Sequence, residues 1–426
     1  MDETYVSQPF YEWGPYVAYG KDPSQEMNIS WESEHYALEA WVKYGETEDC
    51  SQEVKWEDIT PRRHHAFQLA GLTPGTLYYY RISRDGGQDL FSFRTGIPAS
   101  SMQPFEFCIV GDMHSDHGNI TPVFGALDAH APQKSFAVSV GDAINAGESE
   151  ASWQDFFRQA TPFIHNLPWV HVTGNHDSGS RSKYPRFLAT FDQPYVNPRE
   201  GAYFSFDFAN AHFIVLDSCN GGRFESTPMD EQMEWLEHDL TKHAGKNGSG
   251  KNKWIFVFLH HQIYSTGDFA MARIMHEYLR PLFDEYHVDA VFYGHDHHFE
   301  IFHCSADEPW GGTHYVVTGA ASTYDTLDWS IMNPQKKRGE KETGPHYLWL
   351  RDEHIASQEF FSGGDVDNKF GARFDEIVQQ CQLYGCLRQH FTRIAIEGDW
   401  CTLQAVGLGG EIFFEKKIPR TGTKDE

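Results

Sequence analysis

The chain has 426 residues, 40% hydrophobic and 15% aromatic, enough apolar side chain to fill well-packed cores and to exclude wholesale disorder. Its formal charge of −27, from 34 Lys and Arg against 61 Asp and Glu, disfavours nucleic-acid backbones and anionic membranes as partners. A bound metal can still reverse that field locally for a small anionic substrate. No apolar run approaches the ~18 residues of a membrane span. Seven dispersed cysteines, from Cys50 to Cys401, form neither a disulfide framework nor a CxxC zinc motif. Cys381 and Cys386 are close enough in sequence to pair locally. The opening MDETYVSQPFYEWGP lacks the basic start and apolar core of a signal peptide. An export signal already removed would leave the same sequence, so the compartment stays open.

Residues 1–97 read as all-β. Short strand-like stretches, Asn28–Trp31, Ala37–Tyr44, Phe67–Ala70, Tyr78–Ser83 and Leu90–Arg94, are separated by turns such as Thr73-Pro74-Gly75 and Asp85-Gly86-Gly87. This spacing predicts a β-sandwich, and LAGLTPGTLYYYRIS resembles a fibronectin type III module. Residues 98–104 read as a linker.

From 105 to 426 the pattern becomes α/β. Apolar strands are expected at Phe105–Val110, Ser135–Val140, Trp169–Val172, His212–Leu216, Trp254–Leu259, Ala290–Tyr293 and Tyr315–Thr318. Helices are expected at Ser152–Phe163, Met229–Lys242 and Ala270–Tyr286. Such alternation implies a layered α/β domain with buried sheets, whose ligands gather at the carboxyl ends of strands. Residues 322–389 read as an insertion. Closing strands follow at Thr392–Ile396, Thr402–Val406 and Glu411–Phe414.

Polar clusters follow five of these strands. FCIVGDMHSD presents Asp112 and His114, and FAVSVGDAIN presents Asp142. WVHVTGNHD presents Asn175, His176 and Asp177. WIFVFLHHQ presents His260 and His261, and AVFYGHDHHFE presents His295, His297 and His298. Imidazole nitrogen and carboxylate oxygen are the donors that first-row metals prefer, and loops leaving strand ends can aim them at one point. The glycine before Asp112, Asp142, Asn175 and His295 is expected to let the backbone turn sharply. Two metals ~3.5–4 Å apart need a shared ligand, a role that suits a carboxylate.

In this order, the motifs resemble the calcineurin-like metallophosphoesterase superfamily. With the β module in front, the chain is similar to its purple acid phosphatase branch. The resemblance implies a layered α/β/β/α sandwich and two divalent or trivalent ions, drawn from Fe, Mn and Zn and possibly mixed. Asp112, His114, Asp142 and His297 would hold the first ion. Asp142 would bridge to a second, completed by Asn175, His260 and His295. His176 would face the substrate as a charge stabiliser or acid, oriented by Asp177. His117, Asn119, His261, Tyr264 and His298 are further candidates for substrate contact, with Thr266 and Asp268 beside Tyr264.

One departure is informative. The purple branch carries a metal-binding Tyr three residues after the bridging Asp and lacks a His two residues after the first Asp. Here those positions are Asn145 and His114, which implies a colourless centre. The implied reaction is hydrolysis of a small phosphate monoester by a metal-bound hydroxide. Alternatives are a phosphodiesterase acting on cyclic nucleotides or nucleotide derivatives, and a non-catalytic extracellular binding protein.

Overall fold

The computed structural model describes residues 12–178, 184–196, 201–219, 230–265, 269–303, 310–322, 381–386 and 388–420. Thr266, Asp268, Cys304 and most of the expected insertion lie outside them.

The N-terminal unit is a single antiparallel sheet. It comprises β1 (Trp13–Tyr19), β2 (Met27–Gly45), β3 (Gln52–Leu69), β4 (Leu77–Ile82) and β5 (Phe91–Arg94), in the order β1-β2-β4-β5 with β3 also on β2. The two expected segments Asn28–Trp31 and Ala37–Tyr44 are parts of one strand. Its register shifts between Glu32 and Glu39, within the polar Glu32-Ser33-Glu34-His35 stretch. Its first part pairs with β1 and its last part with β4, so the ladder continues as a curled sheet. In β4 alternate residues Tyr78, Tyr80 and Ile82 are buried, the period-2 signature of a half-buried strand. Strand β1 was not anticipated because Gly14-Pro15 reads as a breaker. Every residue of β1 is buried, and Trp13 stacks on Phe157 of the following domain, centroids 3.9 Å apart.

That domain contains two sheets. Strands β6 (Phe105–Val110), β7 (Lys134–Ser139) and β8 (Trp169–His171) run parallel at one side of a six-stranded sheet. Its order is β18-β17-β16-β6-β7-β8, completed by β16 (His390–Glu397), β17 (Trp400–Gly407) and β18 (Ile412–Pro419). The second sheet has the order β15-β13-β14-β12-β11-β10-β9. Its members are β9 (Phe204–Phe208), β10 (Ala211–Val215), β11 (Trp254–Phe258), β12 (Ala290–Tyr293), β13 (Phe299–Phe302), β14 (His314–Thr318) and β15 (Gln382–Cys386). Strands β10, β11, β12 and β14 are mutually parallel.

The all-apolar composition of these strands follows from burial on both faces. In β11, Trp254, Phe256 and Phe258 face a core shared with Phe107 and Phe136 of the other sheet. Ile255 and Val257 face the opposite layer with helices α5 (Asp230–His243) and α6 (Phe269–Glu285). Phe107 lies 5.1 Å from Phe136 and 5.2 Å from Phe213, joining the sheets through ring contacts. Cys108 and Val110 point the other way, toward α1 (Thr121–His130) and α2 (Glu150–Ile164). The result is the expected α/β/β/α sandwich. Its parallel strands deliver their carboxyl ends to one edge, where the polar clusters sit.

Candidate metal centre

Each parallel strand stops where a short loop turns inward. The ligand candidates themselves take the turn: Asp112, His114, Asp142 and His295 have φ of 55°, 40°, 53° and 67°. Side-chain-bearing residues rarely occupy that left-handed region unless their surroundings impose it. Of the four glycines expected to turn the chain, Gly141 is left-handed at φ 98°. Gly174 and Gly294 instead provide clearance. A Cβ at Gly174 would collide with Asp142, and one at Gly294 with the Asp112 carboxylate.

The loops bring all seven expected ligands together. His114 Nε2 lies 3.3 Å from His297 Nε2, and His297 Nε2 lies 3.4 Å from Asp112 Oδ1. Asn175 Oδ1 stands 2.8 Å from His260 Nε2 and 3.0 Å from His295 Nδ1. Asp142 Oδ2 is between the two groups, 3.3 Å from His260 Nε2 and 3.8 Å from His114 Nε2. Such spacings suit neighbouring donors around an ion with bonds of roughly 2.0–2.2 Å, for which shell edges are ~2.9–3.5 Å. The orientation of the rings fits as well. His260 Nδ1 donates to Val140 O at 2.8 Å, which leaves Nε2, aimed at the centre, as the nitrogen that would bind an ion. The donor set therefore fits a two-metal group, with several His and Asp clusters each able to hold an ion.

The electrostatics follow from packing these groups out of water. Burial opposes the charge on Asp142, but His260, and after it His114 and His176, hold its carboxyl well below the usual range. Burial likewise opposes the charge on His260, yet Asp142 and then Asp112 push it up to about 9. Burial pushes His114 and His261 down. Asp112, His114, Asp142 and His260 form the buried floor, while Asn175, His176, His295 and His297 are half-buried at the mouth.

The remaining candidates divide. His176 Nδ1 donates to Asn145 O at 2.9 Å, and its ring stands edge-on to His114. Asp177 was expected to orient His176, but its carboxylate serves the backbone. It accepts from the N–H groups of Asp142, Ala143 and Gly174 at 2.9, 3.0 and 3.0 Å, and contacts His171 Nε2 at 3.2 Å. His261 reaches the centre beside His260 and His295, with Ser218 Oγ 2.9 Å from its Nδ1.

His298 does not reach the substrate side. It is fully buried, with Nε2 2.9 Å from Glu300 Oε2. In the bend at 295–298, His295 and His297 face the centre, while Asp296 and His298 are buried, Asp296 beside Ser265 and His298 beside Glu300. Tyr264 is also core, its ring packed on Phe302 and Tyr315. Asn119 is exposed and accepts from Thr121 N at the start of α1. His117 is exposed beside the first loop. Sequence reasoning missed Ser218 and His171. Ser218 carried the faint signal of another polar residue just beyond a buried strand, whereas His171 lies within one.

A His, Asp and Asn donor set at the strand ends of a double-sheet sandwich defines a dinuclear metallohydrolase centre. Residues 105–299 match the family described as Calcineurin-like phosphoesterase, and residues 13–95 match Purple acid Phosphatase, N-terminal domain. Purple acid phosphatase 22 of Arabidopsis thaliana is 27% identical over 344 residues, covering 75% of this chain and 74% of that protein. Acid phosphatase type 7 of Mus musculus is 27% identical over 303 residues, covering 64% and 67%. In structure, the purple acid phosphatase PPD1 from yellow lupin (Lupinus luteus) seeds shares the fold. Its TM-score is 0.70 at 17% identity, over 98% of this chain and 76% of that one. The chain carries a calcineurin-like metallophosphoesterase domain preceded by a purple acid phosphatase-type N-terminal domain. It is a metal-dependent phosphoric ester hydrolase. No helix among the described residues is long and apolar enough to cross a membrane.

Proposed function

We propose that the chain hydrolyses small phosphate monoesters, in the manner of an acid phosphatase. The supporting observation is the convergence of seven donors, among them Asp142, whose carboxylate lies within reach of both His114 and His260. The names of the relatives, purple acid phosphatase and acid phosphatase, point the same way. In this reading Asp112, His114, Asp142 and His297 hold one ion, and Asp142, Asn175, His260 and His295 hold the other. The pair is drawn from Fe, Mn and Zn and can be mixed. When bound, such ions neutralise phosphate charge and lower the pKa of water.

The chain's own residues supply the rest. The buried floor fixes the donors, and the half-buried rim admits a phosphoryl group. His176 in its protonated form donates through Nδ1 to Asn145 O. This directs its Nε2–H toward a phosphoryl or leaving-group oxygen.

The test is an activity panel that crosses Mn, Fe and Zn with p-nitrophenyl phosphate, its bis-ester and pyrophosphate. The monoester is expected to be turned over fastest. Faster hydrolysis of the bis-ester would reassign the chain as a phosphodiesterase.

A further inference from the structure

We infer that the N-terminal sheet is a positioning part of the active site, holding the Asp142 loop through the path Asp192–Gln193–His171–Asp177. The inference rests on the reading of Asp142 as the shared metal ligand. It begins at a segment of the catalytic domain that packs against the N-terminal sheet. Helix α4 (Tyr184–Thr190) runs into Phe191, Asp192 and Gln193, and the N-terminal sheet grips this exit at several atoms. Tyr16 OH donates to Thr190 O at 2.7 Å and accepts from Asp192 N at 2.9 Å. Asn28 Nδ2 donates to Asp192 O at 2.9 Å. Ser30 Oγ donates to Asp192 Oδ2 at 2.6 Å, with His64 Nε2 3.3 Å from the same oxygen.

The next residue passes this grip to the catalytic domain. Strand β8 is the outer strand of its sheet, so its free edge needs partners. The Gln193 amide supplies them on both sides of one residue. Its Oε1 accepts from His171 N at 2.8 Å, and its Nε2 donates to His171 O at 2.7 Å. Phe191 covers the His171 ring face to face, centroids 4.2 Å apart. That ring meets Asp177 Oδ2, and the Asp177 carboxylate collects the amides of Asp142, Ala143 and Gly174. Asp142 sits in a left-handed conformation that its surroundings must maintain. The backbone amides that this path fixes lie on one side of the centre. His260 and His295 follow strands of the other sheet, and although the His260 ring reaches Val140 O, their own amides bond to Ser218 Oγ and the Asp112 carboxylate.

This asymmetry gives the test. Gln193→Ala and the remote Asn28→Ala/Ser30→Ala pair would be compared with wild type by hydrogen exchange, resolved by mass spectrometry, alongside steady-state kinetics. Ser30→Thr, which keeps the hydroxyl, serves as the conservative control. The expected result is faster amide exchange in peptides 139–147 and 172–178, with peptides 256–262 and 292–298 unchanged. Turnover should fall about 10-fold at constant KM, on the scale of supporting residues around a metal site, and Ser30→Thr should restore it. A uniform rise in exchange through both sheets, or a lower Tm with wild-type exchange at Asp142, would overturn the inference. Wild-type protein inactive with every metal would remove the phosphatase reading. The exchange pattern would still decide the positioning path.

Discussion

Asp142 combines a strained backbone, a depressed carboxyl and contacts with histidines from both sheets. Asp142→Asn keeps the shape but removes the charge. It is expected to lower turnover by at least about 100-fold, with bound metal falling in elemental analysis and the circular dichroism spectrum unchanged. His176→Ala should reduce kcat on the order of 100-fold for alkyl phosphates with poor leaving groups, and much less for nitrophenyl phosphate. Leaving-group plots of the two enzymes would check this, and equal losses across the series would argue against acid catalysis. With Asn145 where a metal-binding tyrosine would stand, metal-loaded protein should show no strong visible charge-transfer band in its absorption spectrum. The donors were legible because each cluster follows a buried strand with a polar burst, preceded by a Gly everywhere except at His260. The fates of His298 and Tyr264 were not, because they depend on a buried pairing with Glu300 and on rings contributed by distant strands. Gln193 and His171 left no local trace at all, since their roles come from contacts between separate segments.

At the scale of elements, the long apolar runs such as WIFVF were readable and their ends fell within a residue, but the short β13, FEIF, was not anticipated although it is fully buried. Strand β1 was hidden by Gly14-Pro15, and α1 by the Pro and Gly within TPVFGALDAH. A second His cluster illustrates how elements are tied together. His212 on β10 lies 2.9 Å from Asp207 of β9 through Nδ1 and 2.7 Å from Asp239 of α5 through Nε2. His243 stacks on its face at 3.7 Å, and Lys253 pairs with Asp207. Burial opposes the charge on His212, but the two carboxylates prevail and raise its pKa. Burial, followed by the charge of His212, pushes His243 down to about 4. A base with a raised folded pKa stabilises fully below its unfolded value, ~6.5, and this contribution fades as pH climbs through the folded value. His212→Gln should therefore cost about 2 kcal/mol below pH 6.5 and progressively less as the pH rises above it. Urea denaturation across that window, above the range in which His243 titrates, measures the difference. A constant loss would mean that His212 is neutral in the fold.

At the scale of the whole molecule, the centre depends on residues far apart in the chain. β6 carries the first donors and is hydrogen-bonded between β7 and β16. Arg393 of β16 also pairs with Glu106 of β6. A variant ending at Arg388 would lack β16, β17 and β18 and leave β6 as a bare, largely apolar edge. It should take up no metal and should self-associate, as read by elemental analysis and size-exclusion chromatography. The same arrangement governs the order of events during synthesis. Asp112 leaves the ribosome well before β16, which flanks its strand and emerges almost three hundred residues later. Across that interval the nascent protein carries a half-built cation trap with a sticky flank, and the arrival of β16 closes it.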